Sequence, residues 1–129
     1  MPPVCVVLLL GVASAALWDD PDPNWQCGSN WFTRNIAADQ VNLHCPALKS
    51  VINGCCVVHD DCYDQQKGQE NCDEAFCACL EKVTKPSKAC AENDGPLFCD
   101  AVKNFGDYYY ESAGNKNTAK ERRHKRSMV

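Results

Sequence analysis

The chain opens on an apolar run, Val4 to Leu10, continues through small residues from Gly11 to Ala16, and turns abruptly polar at Trp18-Asp19-Asp20-Pro21. A bilayer-spanning helix needs about twenty apolar residues, so this run is too short to cross a membrane, whereas the small residues behind it suit signal-peptidase cleavage. Residues 1–16 are therefore expected to be a secretory signal, cut after Ala15 or Ala16. Beyond it, Pro21 and Pro23 among aspartates predict an extended lead-in over residues 17–26. Residues 33–44 predict a short helix with Ile36, Val41 and Leu43 as its apolar contacts. Asn53 and Gly54 punctuate the chain. Helices are then expected from Cys55 to about Gln66 and from Cys72 to about Val83, joined by a turn in which Gly68 accepts positive φ, with Pro86 as the stop. A looser segment with Cys90, Gly95 and Pro96 leads to a last apolar stretch, FCDAVKNFGDYYY. No internal repeat and no Asn-x-Ser/Thr acceptor is present.

Cysteines change this picture most. Removing the signal removes Cys5, which leaves ten of the eleven cysteines, an even number in a chain of just over a hundred residues. In an exported protein that density implies five disulfides and a single small domain over residues 17–115. A zinc site is the competing reading, since thiolates and His59 are suitable ligands. On a helix, residues four and seven apart share a face, so Cys55, His59 and Cys62 line one side of the first central helix and Cys72, Phe76 and Cys79 one side of the second. In an antiparallel hairpin, facing positions have a constant sum of residue numbers. Cys55 with Cys79 and Cys62 with Cys72 share the same sum, which predicts these two bridges and sets His59 between them. Cys45, Cys77, Cys90 and Cys99 can be paired in three ways, and spacing does not choose among them.

Charge is divided unevenly along the chain. Residues 17–115 carry sixteen Asp/Glu against seven Lys/Arg, and residues 116–129 carry six Lys/Arg against one Glu. An acidic body excludes nucleic acid as a partner and argues against electrostatic capture by anionic membranes. The basic segment reads first as a disordered, solubilising end, with a membrane contact or a dibasic processing site at Lys125-Arg126 as the sharper alternatives.

A histidine held between two covalent cross-links is rigidly aimed. Imidazole takes a proton from water near neutral pH when a carboxylate on its far nitrogen fixes the tautomer, and Asp73, at the start of the facing helix, is the candidate partner. Asp60 projects about 100° around the helix from His59 and is better placed to hold a cation. Calcium takes hard oxygen ligands, and such an ion beside an activated water would polarise an ester carbonyl.

The run CCVVHDDCYDQQKGQENCDEAFCACL resembles the helix-pair signature of secreted phospholipases A2, in which Cys-Cys-x-x-His-Asp-x-Cys-Tyr is followed by Cys-Asp and a further cysteine. The short turn and CDEAF are most similar to the group XII branch. The resemblance implies a mainly α, disulfide-rich fold with two cross-linked antiparallel helices, a calcium loop and little or no β structure. It implies that His59 activates water, Asp73 orients His59, Tyr63 hydrogen-bonds Asp73 and Asp60 binds Ca2+. The reaction it implies is calcium-dependent hydrolysis of the sn-2 ester of glycerophospholipids by a secreted monomer acting on a phospholipid membrane surface or micelle. The loop matching the family's calcium loop is Trp25 to Phe32, where Gly28 is the one glycine left. Gln26, Gly28 and Asn30 would present carbonyls there, and Cys27 would bridge to Cys56.

Each of these residues also has a plainer reading. His59 alone is a structural histidine, Asp61 a solvated helix charge, and Tyr63 a packing residue. Trp18, Trp25, Trp31 and Phe32 are core residues or an interfacial rim. Tyr108-Tyr109-Tyr110 fits either use. The competing hypothesis of another class is a non-catalytic phospholipase A2-like binding protein that engages a receptor or a lipid, which the thinned glycine loop favours.

Overall fold

The computed structural model describes residues 23–128, and the expected signal and most of the lead-in lie outside them. Four helices carry the fold: α1 (Trp31–His44), α2 (Lys49–Asp64), α3 (Gln69–Thr84) and α4 (Gly95–Ser127). A 3-10 turn, Pro46–Leu48, precedes α2, and a π turn, Cys90–Asp94, precedes α4. No strand occurs among the described residues. The protein is all-α and disulfide-rich.

Local chemistry explains where α1 begins. Asn30 is its N-cap, its side-chain oxygen accepting from the Thr33 amide at 3.0 Å while the Thr33 hydroxyl accepts from the Asn30 amide at 3.1 Å. This reciprocal pair satisfies donors that the first turn leaves open. The buried face of α1 is Ala37, Ala38 and Val41. Of the expected contacts only Val41 is inside; Ile36 and Leu43 are exposed. Two of the three buried positions are alanines, whose small side chains permit close packing in the core.

The central hairpin is longer than its periodicity suggested. α2 starts at Lys49 and runs straight through Asn53 and Gly54, the residues expected to interrupt it. A mid-helix glycine costs about 1 kcal/mol. Burial of Ile52, Cys55, Cys56, His59 and Tyr63 along the same helix outweighs that cost. Gly68 supplies the turn at φ +99°, and α3 ends at Thr84, two residues before Pro86.

α4 replaces the looser segment and short apolar stretch expected near the end. Pro96 occupies its first turn, where a missing N–H is harmless. Its buried positions, Gly95, Gly106 and Ala113, are small. They let α4 lie close across the hairpin, a face that a search for bulky apolar residues passes over. Residues 116–129, expected to be a disordered end, are helical to Ser127, with every side chain from Thr118 to Met128 exposed. Ala119, Lys120, Glu121, Arg122 and Arg123 are good helix formers, and cations in the last turn suit the helix dipole.

Five disulfides bind the elements: Cys27–Cys56, Cys45–Cys90, Cys55–Cys79, Cys62–Cys72 and Cys77–Cys99. The first is the bridge the family resemblance implied, and the third and fourth are those derived from the hairpin arithmetic. Cys45–Cys90 ties α1 to the π turn, and Cys77–Cys99 ties α3 to α4. Around them Trp25, Val41, Ile52, Phe76 and Leu80 form the apolar core. Next to Cys45–Cys90, His44 Nδ1 lies 2.9 Å from both carboxylate oxygens of the buried Asp94. This contact fastens the last turn of α1 to the entry of α4. Bridges of this number persist in oxidising compartments, and no helix of the described residues is long and apolar enough to cross a membrane.

Candidate active site

α2 and α3 face each other between two cross-links, Cys55–Cys79 on one side and Cys62–Cys72 on the other. His59 is one turn from each cysteine of its own helix and points inward, 7% exposed. Its ring packs at tilted angles against Tyr63, with centroids 4.3 Å apart, and Phe76, at 4.6 Å. Burial between these two rings restricts the imidazole.

Asp73 follows Cys72 in the first turns of α3 and is 3% exposed. His59 Nε2 lies 2.7 Å from Asp73 Oδ1, and the Tyr63 hydroxyl donates to the same oxygen at 2.6 Å. A carboxylate offers only acceptors, so Nε2 carries the proton and donates it to Asp73. Nδ1 of the neutral ring therefore holds the lone pair. Burial, the hydrogen bond to Asp73 and the charge of Asp73 push the Tyr63 phenol well above its usual range, with Asp107 and Tyr110 adding to the shift. Tyr63 thus stays a donor at any physiological pH.

Gly106 is the residue that sequence reasoning missed. A Cβ at this position of α4 would run into the Tyr63 hydroxyl and crowd the Gln69 amide. The absence of a side chain lets α4 close over Tyr63 without displacing it. Around this point Gln69 Nε2 donates to Asp107 at 2.6 Å, the Gly68 amide donates to the Tyr110 hydroxyl at 2.9 Å, and Tyr110 meets the Tyr63 ring edge-on. The one sequence cue was a glycine inside FGDYYY.

Asp60 projects away from the dyad toward the segment joined by Cys27–Cys56, since residues 56 and 60 share a face of α2. Its side chain is largely open to solvent, yet packing about the carboxyl raises its pKa to about 6, opposed by the charge of Arg34 and reinforced by that of Asp64. No hydrogen bond or contact ion pair among the described residues engages this carboxylate. A partly desolvated carboxylate lacking a contact partner suits a hard cation. Gln26 and Gly28 flank Cys27, which the same bridge joins to Cys56, one turn before Asp60 on α2. Asn30 is engaged at the start of α1. Its carbonyl accepts from the Arg34 amide at 2.9 Å and the Thr33 hydroxyl at 3.2 Å, and its side chain caps α1. Both of its oxygens face the helix because α1 begins at the very next residue.

The aromatic residues divide. Trp25 is core at 2% exposed, whereas Trp31 and Phe32, expected to be partly core, are 59% and 64% exposed, and Val58 beside His59 is exposed too. Tyr110 is half-buried on Tyr63 while Tyr108 faces solvent. Asp61 accepts from Gln65 at 2.6 Å on the outer face of α2. Trp18 lies outside the described residues. A cavity lined by Asp64, Gln66, Glu111, Gly114, Lys120 and Glu121 sits at the turn end of the hairpin and does not include His59.

No family model matches the chain, and no solved structure matches it. Among curated proteins, a phospholipase A2-like protein of Caenorhabditis elegans is 46% identical over 98 residues, which cover 75% of this chain and 56% of that protein. The chain thus spans little more than half the length of the relative it matches. The identity supports a phospholipase A2-like family.

Proposed function

From that likeness we propose that the chain is a secreted, group XII-like phospholipase A2 that hydrolyses the sn-2 ester of glycerophospholipids to a free fatty acid and a lysophospholipid. The observation that carries the reading is the contact of His59 Nε2 with Asp73 at 2.7 Å, which leaves Nδ1 as the base. Nδ1 takes a proton from water as the oxygen attacks the ester carbonyl. When the tetrahedral species collapses, the departing lysophospholipid oxygen takes that proton back, and His59 is neutral again. Asp73 stabilises the ring while it is charged, and Tyr63 holds Asp73 at the shared oxygen. Ca2+ bound by Asp60 with backbone oxygens of Gln26 and Gly28 would supply positive charge for the developing oxyanion. Trp31, Phe32 and Val58 are exposed apolar residues of the kind that seat on a lipid surface, so a phospholipid membrane or micelle is the proposed partner.

Commitment of both Asn30 oxygens to α1 favours the second reading, a non-catalytic phospholipase A2-like binding protein. Fatty-acid release from mixed phospholipid vesicles by the oxidised chain decides between the two. Release that requires millimolar calcium and stops with chelator is the expected result. No release from correctly bridged protein would reject the enzyme and leave the binding protein.

A further inference from the structure

Arg34 belongs to neither the dyad nor the core, yet it is closely held. It stands half-buried in the first turns of α1, and its Nη2 donates to Gln26 Oε1 at 3.0 Å. The Gln26 amide donates to Asn53 Oδ1 at 2.7 Å, and the Asn53 amide group donates to the Asn24 carbonyl at 2.8 Å. Asn53, Cys56 and Asp60 fall on one face of α2 by their three- and four-residue spacing. The bridge from Cys56 to Cys27 fixes the Gln26 to Gly28 segment on that face. Gly28, at φ +114°, packs so tightly on α1 that a Cβ there would lie 2.5 Å from the Arg34 amide nitrogen. Three constraints therefore converge on one place: the disulfide, the Asn53 hydrogen bonds and the Gly28 contact together bring the Arg34 guanidinium and the face of α2 that carries Asp60 to the same short loop. The charge of Arg34 is felt at Asp60, although the two form no contact ion pair. A guanidinium does not lose its proton at any physiological pH, so the charge is permanent.

We propose that the Arg34 guanidinium is a resident cation of the Asp60 site, which opposes a divalent ion there and sets a low calcium affinity. The inference rests on Asp60 being a cation ligand. Coulomb repulsion between a fixed unit charge and a dication over several ångströms, partly screened by water, weakens binding by about tenfold or more. Arg34 also orders the loop through Gln26, so the same side chain shapes the site and limits its occupancy.

Calorimetric titration of the full oxidised chain with calcium chloride at low ionic strength tests this without reference to activity. Arg34→Gln and Arg34→Met remove the charge, Arg34→Lys keeps it, and Asp60→Asn is combined with each. Variants are compared after disulfide mapping and circular dichroism match the parent, and either neutral variant suffices. The expected result is calcium binding at least about tenfold tighter in the neutral variants, an Arg34→Lys protein near the parent, and loss of binding with Asp60→Asn throughout. If the neutral variants bind no tighter while Asp60→Asn still abolishes binding, Arg34 is rejected as a competitor and Asp60 stands as ligand. If no variant binds calcium at Asp60, the proposal and the metal reading fail together.

Discussion

Two histidines in this molecule each hold an aspartate, and their surroundings divide them. His59 lies between two disulfides in the hairpin, is stacked on Tyr63 and Phe76, and shares one oxygen of Asp73 with the Tyr63 hydroxyl. His44 ends α1, has 29% of its side chain exposed, and meets both oxygens of Asp94 beside the single bridge Cys45–Cys90. Asp94 is almost wholly buried in both its backbone and its carboxyl, so it depends on His44 for a polar partner. The contact chemistry is nearly the same, and the difference is what else the surrounding elements carry. The helix that carries His59 also holds the Gln26 to Gly28 loop through Cys27–Cys56, with Asp60 one turn beyond Cys56 and the exposed Val58 next to His59 in sequence. Beside His44 the π turn and a disulfide sulfur of Cys90, 3.1 Å from Asp94, complete a joint between helices. A histidine–aspartate pair is thus a strut by default and becomes a candidate base only where a reacting group can be brought to it.

The sharpest way to break this contrast is to change the two histidines alike. His59→Gln is expected to lower ester hydrolysis by about a thousandfold, within the range for loss of a general base, with little change in melting temperature. His44→Gln should leave hydrolysis of the folded protein near the parent value. Turnover on vesicles together with thermal melts checks both, and a His44→Gln protein as inactive as His59→Gln while still folded would erase the distinction.

Disulfides give the next largest effect. Converting Cys62 and Cys72 to serine is expected to cost about 2–4 kcal/mol, and so is converting Cys45 and Cys90. The outcomes should differ in activity. Loss of Cys62–Cys72 frees the hairpin beside His59 and should lower the turnover of the protein that remains folded, whereas loss of Cys45–Cys90 should lower denaturant stability alone. Urea unfolding paired with turnover of the folded fraction separates the two cases. Equal turnover in both would mean that cross-linking does not aim His59.

His44→Ala ranks third. It leaves the Asp94 carboxylate buried without its partner, a loss expected to cost about 1–3 kcal/mol, whereas Asp94→Asn, which removes the charge itself, should cost less. Chemical denaturation of both variants measures the asymmetry. Equal losses would show that Asp94 finds another partner.

What the sequence made legible follows from the same contrast. His59, Asp73 and two of the bridges lie on adjacent helices whose positions are related by helical period and hairpin symmetry, so counting residues was enough to bring them together. His44 and Asp94 are fifty residues apart, Cys45 and Cys90 forty-five, and Cys77 and Cys99 twenty-two, with no periodic relation within any pair, and only tertiary packing joins them. α4 itself was hidden because its buried positions at Gly95, Gly106 and Ala113 carry almost no apolar side chain. Gly54 was misread as a stop because its local cost is visible in sequence and the burial that offsets it is not. The cap that Asn30 places on α1 was out of reach for the same reason, since it depends on where that helix happens to start.

The smallest expected effect lies at Tyr63, and it bears most directly on how the first pair differs from the second. His44 has no counterpart to this residue: Asp94 has both oxygens against one ring, while Asp73 Oδ1 accepts from ring and phenol together. Tyr63→Phe keeps the stacked ring and removes one donor, so the carboxylate keeps His59 and loses part of its orientation. A lost hydrogen bond to a charged group contributes about 1.5–3 kcal/mol when nothing replaces it. Here the second bond, from His59, remains, and the expected loss of turnover is about tenfold or less, equivalent to about 1.4 kcal/mol of barrier. Gly106→Ala provides the complementary change, since its methyl group pushes against the Tyr63 hydroxyl without altering the donor. If both variants lower turnover to a similar extent and leave vesicle binding unchanged, the phenol acts by holding Asp73. If Tyr63→Phe is silent while Gly106→Ala is not, the close approach of α4 matters for packing, and His59 and Asp73 alone would distinguish the candidate base from the strut.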